Sequence, residues 1–387
     1  MRILAVLLLA AMAQAQDTAS APGAETAPFS LGRAQDIAAR PMALGGSYSA
    51  VANDFTALYY NPAGLTSVKK HEWHFSLDQS NLYSTGRVGG FSPQRADRQA
   101  LGIQSLGYLL PIPTARGGLS FAFGFYRPRT FSDLISYEDA LSTTRGAYRY
   151  EADGFLNHYR AGMAVDLAPD ITLGLALGYV GGAENILLED GGEAAYLRSY
   201  HGLDFEPALL FKITPRLRLG LSLVAWEKIF DLEEVYEEKG VGNQEANYRV
   251  DHPFQLKTGL AYLGSSWLGA ADLKINDWGS YRYALQGVDR TTGAPYRTEW
   301  IFSLGAEKFM PVLHGVVRGG YTYNTLPERG FTPVIALHRL SAGLGFLLSG
   351  ALAVDVAYSH AFWELSDRDL YLENREQRAL LSLSYRY

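Results

Sequence analysis

The sequence predicts an all-β protein: a transmembrane antiparallel β-barrel of about fourteen strands, with a small N-terminal helical hatch inside its lumen. Three observations carry that prediction. From about residue 71 the chain alternates large apolar residues with small or polar ones at period two. The alternating segments are joined by short and long connections in turn. Residues 31–70 break the pattern with Gly45-Gly46, Asn61-Pro62 and short apolar turns, an element too short to fold without a wall to pack on.

The amino end reads "MRILAVLLLAAMAQA". Arg2 supplies a positive start, Ile3 to Ala13 an apolar run, and Ala13-Gln14-Ala15 a small-x-small cleavage site. The run falls short of the roughly 20 apolar residues that cross a bilayer as a helix. We therefore read residues 1–15 as a signal peptide, 16–30 as a flexible leader, 31–70 as the hatch and 71–387 as the barrel. The chain has no cysteine, which excludes disulfides, thiolate metal sites and a lipidated cysteine after the cleavage site. A formal charge of −6 and an export signal argue against a nucleic-acid partner. Glycine (40) and tyrosine (25) are abundant while only 19% of residues are charged, which suits a barrel whose alternate residues face membrane lipid.

The strand pattern is clearest in "RLRLGLSLVA" (216–225) and "GALAVDVAYSH" (350–360). Leu217, Leu219, Leu221 and Leu223 share one face there, and Leu352, Val354, Val356 and Tyr358 share another. Tight turns are read at 167–170, 214–215, 263–266, 309–313 and 348–350, and long polar loops at 84–98, 128–153, 181–199, 228–249, 279–296, 324–334 and 363–375. An even strand number returns both barrel ends to the periplasmic side. The last strand, "ALLSLSYRY", ends on Tyr387, which resembles the C-terminal aromatic signal read by outer-membrane barrel-assembly machinery. The same alternation turns charges of both signs inward, among them Glu72, His74, Asp78, His158, Arg160, Glu206, Lys257, Asp272, Glu299, Glu307, Arg318, Arg339 and Asp355. Such charges pair with one another, hold a plug or line a wet pore.

Within the hatch, Asn61 is a good N-cap and Pro62 suits the first helical position, so a short helical turn starts there and Gly64 ends it. Asn53 or Asp54 caps an earlier turn through Phe55 to Tyr59. The stretch "ARPMALGGSYSAVANDFTALYYNPAGL" (39–65) resembles the amino-terminal hatch of the FadL/TodX family of outer-membrane transporters for hydrophobic compounds, and is similar to the related PorV branch. It matches the family's pattern in Ala52-Asn53-Asp54, with Asn53 in place of the commoner Asp, and in Tyr60-Asn61-Pro62-Ala63-Gly64-Leu65.

The resemblance implies a closed barrel of fourteen strands blocked by its hatch. It implies a hydrophobic ligand that enters through a groove in the outer loops and leaves through a gap in the barrel wall. It places Asn61, Pro62 and Ala63 on the substrate path, with Tyr59, Tyr60 and Phe55 beside them in the hatch. The outer groove falls near "FDLEEVYEEKG" (230–240), read either as a capped helix with Leu232, Val235 and Tyr236 on one face or as an acidic solvated loop. In the family the wall gap belongs to an earlier strand; here Pro207, inside a strand pattern, is the residue read as disturbing the wall.

No P-loop, G-x-S-x-G or H-E-x-x-H occurs, and no nucleophile–base pair can be nominated, so neither an enzyme nor a cofactor is expected. His71 and His74 of "HEWH" fall on opposite faces of a strand, which argues against a shared metal. The function expected is passive uptake of hydrophobic small molecules such as long-chain fatty acids or aromatic hydrocarbons. The alternatives are a PorV-like barrel that partners secreted proteins or a secretion machine, and a polar diffusion pore.

Overall fold

A computed structural model describes residues 33–88, 93–139, 146–189, 193–224, 230–238, 242–251, 254–280, 282–285, 288–289, 296–327, 336–348, 350–367 and 370–387. The expected signal peptide and leader lie outside the described residues. In chain order the elements are β1 (Arg33–Ala34), α1 (Ala39–Ala43), α2 (Ala57–Tyr60), a 3-10 turn (Pro62–Ser67), β2 (Glu72–Val88), β3 (Gln94–Ile112), β4 (Leu119–Asp139), β5 (Gly146–Ala168), β6 (Ile171–Glu189), β7 (Glu193–Lys212) and β8 (Leu217–Val224). There follow β9 (Phe230–Glu238), β10 (Gly242–Asp251), β11 (Gln255–Leu263), β12 (Trp267–Asn276), β13 (Arg282–Leu285), β14 (Val288–Asp289), β15 (Glu299–Met310), β16 (Gly315–Asn324), β17 (Leu337–Leu347), β18 (Leu352–Asp367) and β19 (Leu370–Arg386).

Fourteen of these, β2–β8, β11, β12 and β15–β19, form a closed antiparallel barrel in chain order. Closure runs the full length of β19 against β2, from Arg386 opposite Glu72 to Leu370 opposite Val88. In a bilayer this ladder leaves no lipid-facing backbone edge at that seam. The outward face carries a belt of exposed apolar side chains that includes Trp73, Phe123, Tyr159, Leu177, Leu203, Leu304 and Tyr358. Short turns gather at the end where β2 begins and β19 finishes.

Several stretches read as loops are strand. Most of 128–153 belongs to β4 and β5, and most of 181–199 to β6 and β7. These parts carry polar residues on both faces, so they lack the alternation by which the lower strands are recognised. The expected helix at 230–240 is a strand as well. β9 pairs with Ala194–His201 of β7 and with β10, so the helical spacing that grouped Leu232, Val235 and Tyr236 does not apply. Pairing on both edges outweighed a weak local helical pattern. Gly240, its expected stop, lies outside the described residues.

The hatch fills the lumen near the short-turn end. It supplies much of the principal core, where Leu44, Tyr48, Val51, Phe55, Leu58, Tyr60 and Leu65 pack against Leu109, Ala122, Tyr126, Ala164 and Ala176 of the wall. Close approach depends on inward-facing glycines. A Cβ on Gly174 of β6 would fall 2.1 Å from the Ala63 nitrogen, and one on Gly320 of β16 would fall 2.1 Å from the Gly45 nitrogen. Gly45 and Gly46 have φ of 64° and 77°, the left-handed region that glycine adopts without strain.

Gly174→Val should therefore unseat the hatch, at a cost of about 1–3 kcal/mol for overpacking, and leave the barrel assembled. The expected outcome is a heat-modifiable barrel on gels that now conducts ions in planar bilayers, where the parent chain does not.

Candidate functional site

The hatch is held by polar contacts as well as apolar packing. Asn61 is fully buried and makes three kinds of bond. Its Oδ1 accepts from Ala63 N at 3.0 Å, as an N-cap does, and its Nδ2 donates to Ser49 O at 2.8 Å and to Leu209 O of β7 at 3.2 Å. One side chain thus joins the turn it starts, an earlier hatch loop and the barrel wall. The carbonyls at the end of α2 meet two buried cations. Arg160 Nη1 donates to Leu58 O at 3.3 Å and Lys257 Nζ to Tyr59 O at 2.7 Å. Arg160 also bonds Asp204 and Glu206, Lys257 bonds Glu206, and His158 contacts Asp204.

On the neighbouring strand β12, Asp272 Oδ2 accepts from Tyr48 N, Ser49 N and Ser49 Oγ. Arg40 donates to Glu307 of β15 and to Asn53 Oδ1, and lies 4.0 Å from Asp54. Asp54 in turn accepts from Tyr48 Oη at 2.6 Å and from Thr56. Burial alone would raise the Asp54 pKa; Arg40 and the hydrogen bonds from Thr56 and Tyr48 outweigh it and hold the carboxyl below its ordinary value.

The residues expected on the substrate path are brought together but do different work. Phe55 stacks on His74 at 5.3 Å and is buried against β3 and β4. Pro62 and Ala63 press on the inner wall at Gly174. Tyr60 Oη donates to Asp36 at 2.7 Å. Tyr59 alone of the six is half-buried, edge-on to Tyr126 at 5.1 Å and under the Lys257 ammonium at 5.1 Å. Above the hatch, buried aromatic and aliphatic side chains continue along the lumen wall, with Phe131 stacked on Tyr200 at 5.1 Å and Arg129 over Trp278 at 5.4 Å.

The wall ladder is broken at the seam between β3 and β4. β3 and β4 pair only between Ser105–Ile112 and Leu119–Tyr126. Farther out, β3 continues on β2 as far as Gln94, and β4 continues on β5 as far as Asp139, but 94–104 and 127–139 form no ladder with each other. Two bulges start the divergence. Gln104 is the extra residue on β3, and Arg127-Pro128 oppose one residue of β5. The freed β4 edge is met from inside. β1 pairs with Arg129 and Thr130, Gln35 N donates to Pro128 O at 2.8 Å, and Gln104 Nε2 donates to Arg127 O at 2.6 Å and to Asp36 O at 2.9 Å.

Sequence reasoning missed this seam because it ended the strand at residue 127 and took Pro128 for a loop. The signal was present in "FYRPRT" (125–130), a proline inside a strand pattern, the same cue used for Pro207. At Pro207 the ladder toward β6 is continuous, with Leu175 opposite. Toward the next strand it stops at Ala208–Ser222 and resumes at His201–Asp231 with two extra residues on the β8–β9 side. Glu206, beside it, is wholly buried in the Arg160–Lys257 network. Glu184, Arg198, Asp204, Glu376 and Arg378 are further buried lumen charges that the reading left out, two of them because 181–199 was taken as a loop. Tyr387, read as an assembly signal, stacks on His71 at 5.3 Å while His74 faces inward to Ser76 and Ser105.

A fourteen-stranded barrel, a hatch bonded across its lumen and an open seam define the class: a plugged β-barrel with the fold of the solved FadL- and TodX-type structures. Solved structures share the fold. The crystal structure of the Pseudomonas putida toluene transporter TodX matches with a TM-score of 0.72 at 16% identity, over 90% of this chain and 97% of that one. A Pseudomonas aeruginosa FadL homologue matches with a TM-score of 0.71 at 14% identity, over 92% and 99%. The Ralstonia pickettii toluene transporter TbuX matches with a TM-score of 0.63 at 16% identity, over 90% and 98%. The sequence matches no protein-family model and none of the curated proteins.

Two outcomes are expected. Asn61→Ala removes a cap and two buried acceptor contacts, at roughly 1–2 kcal/mol for the cap alone; amide hydrogen exchange across 61–67 should quicken by about tenfold or more, with the barrel strands unchanged. For pH the sign follows from Asp54, which faces Arg40, Tyr48 and Thr56 in the hatch and Glu72, His74 and Arg386 on the wall. A carboxyl held below its unfolded value stabilises the hatch above that value and loses the contribution as pH falls through its own lower pKa. Exchange at residues 48–56, followed from neutral pH downward, should stay slow until the pH drops below the ordinary aspartate value of 3.8, and Asp54→Asn should abolish that step.

Proposed function

We propose that this protein resides in the bacterial outer membrane after export by its signal peptide and passes hydrophobic small molecules inward without an energy source of its own. The observation that carries the reading is the open seam between β3 and β4 beside a seated hatch. The hatch blocks the straight route through the lumen, and a break in the wall at the level of the apolar belt gives a ligand a lateral route into lipid. The aromatic lining above the hatch favours apolar ligands over water. Partitioning down a gradient supplies the driving force. The toluene transporters named above share this architecture, which supports aromatic hydrocarbons or long-chain fatty acids as the cargo. The fold neighbours are transporters and channels, which supports a non-enzymatic role.

A PorV-like role in protein secretion shares the hatch sequence but gives the open seam no task, and transport is preferred for that reason. The test is expression in a host that lacks its own long-chain fatty-acid channel. Assembled protein should restore uptake of a long-chain fatty acid or of toluene. Correctly assembled protein that restores neither, yet retains a tight protein partner through purification, would replace the transport reading with the secretion one.

A further inference from the structure

The open seam has a second crossing, farther out than Gln104. Arg98 lies on the β3 edge that has left β4. Its guanidinium reaches past β4 to β5: Nη1 donates to Ala152 O at 2.7 Å and Nη2 lies 2.9 Å from Asp153 Oδ2, with Glu151 Oε1 at 3.7 Å. The carbonyl of a fully buried alanine is a fixed acceptor, the cationic guanidinium makes the bond charge-assisted, and the two carboxylates hold the cation in place. The Arg98 side chain is only 17% exposed, although its strand edge is unpaired. At the inner end Gln104 makes the corresponding bond to Arg127 O. Between the two crossings lie Gln99 to Ile103, and at about 3.3 Å per residue the opening between them runs for about 20 Å along β3. Leu101 and Ile103 are exposed at its rim. A length of that order admits a slender apolar molecule, and its breadth depends on how far β3 stands from β4–β5 and from the β1 segment paired on Arg129 and Thr130. Arg98 is the charged side chain that, among the described residues, spans that distance farther out than Gln104.

We propose that Arg98 is a specificity-determining residue: it ties β3 to β5 across the open seam, farther out than Gln104, and limits the girth of the ligand that leaves through it. The inference rests on the lateral-exit reading above. Removing the guanidinium frees the β3 edge to move outward, while slender ligands already pass. Arg149, bonded to Glu151 at 2.9 Å, remains to neutralise that carboxylate, so the loss is chiefly of the tie.

The experiment compares uptake of a linear fatty acid with uptake of a four-ring aromatic hydrocarbon by the parent chain, Arg98→Ala and Arg98→Lys, all checked for heat-modifiable assembly. Arg98→Ala should raise the bulky-to-slender ratio severalfold with slender uptake unchanged, and Arg98→Lys should stay near the parent. An unchanged ratio in Arg98→Ala overturns the proposal. A second readout needs no transport. The chain has no native cysteine, so spin labels at Gln99→Cys and Ser132→Cys report the seam alone. Arg98→Ala should lengthen or broaden that distance, and an unmoved distribution overturns the tie. Absence of all uptake by the parent chain, with a distance that does respond to Arg98→Ala, would sink the transport reading and leave the tie standing.

Discussion

Backbone amides inside a bilayer have no partner except one another, and that constraint organises this molecule. It forces the chain into a ladder that closes on itself, β19 on β2, and so creates a lumen. It also makes any break in the ladder conspicuous, because each freed amide and carbonyl must find another partner. At the β3–β4 seam the replacements are specific: β1 on Arg129 and Thr130, the backbone of Gln35 on Pro128, and the side chain of Gln104 on Arg127. The β4 edge, answered from within at these four residues, is a built feature of the wall.

The hatch obeys the same accounting from the other side. Its helices span five and four residues, too short to stand alone, and the barrel completes what their own turns leave unpaired, with Ser382 Oγ accepting from Ala39 N at the start of α1. Arg160 and Lys257 take the carbonyls that end α2, Asp272 takes the amides of Tyr48 and Ser49, and Asn61 bridges two hatch segments to β7. The lumen charges are therefore paired structural groups around a plug. Their partners are drawn from strands far apart around the barrel, so hatch position and barrel shape are set together.

Much of this was legible beforehand. The period-two alternation gave the strand number, since a lipid-facing side and a lumen-facing side differ in the residues they tolerate. The Asn-Pro element gave the hatch, because proline at a first helical position and asparagine before it are local chemistry, and Asn61 is indeed the N-cap. The outer halves of β4 to β7 and the strand at 230–238 were misread for one reason. In these outer parts the buried inward face carries charges such as Glu184 and Arg198 and the outward face carries polar residues too, so the apolar–polar alternation that marks a strand is lost from the sequence although the ladder continues.

By itself, then, the sequence determined that the strands have an apolar and a small or polar face, how many strands there are, and that a short helical element must lodge inside, because solvent contrast and backbone propensity act over a few neighbouring residues. Only the tertiary structure decided where the wall opens. Pro128 and Pro207 carry the same local cue, but the first sits where β3 also bulges at Gln104 and the second sits against an unbroken β6 and a buried Glu206 network. Whether a proline weakens a strand or opens a seam depends on the opposing edge, and that edge is set by residues distant in the chain.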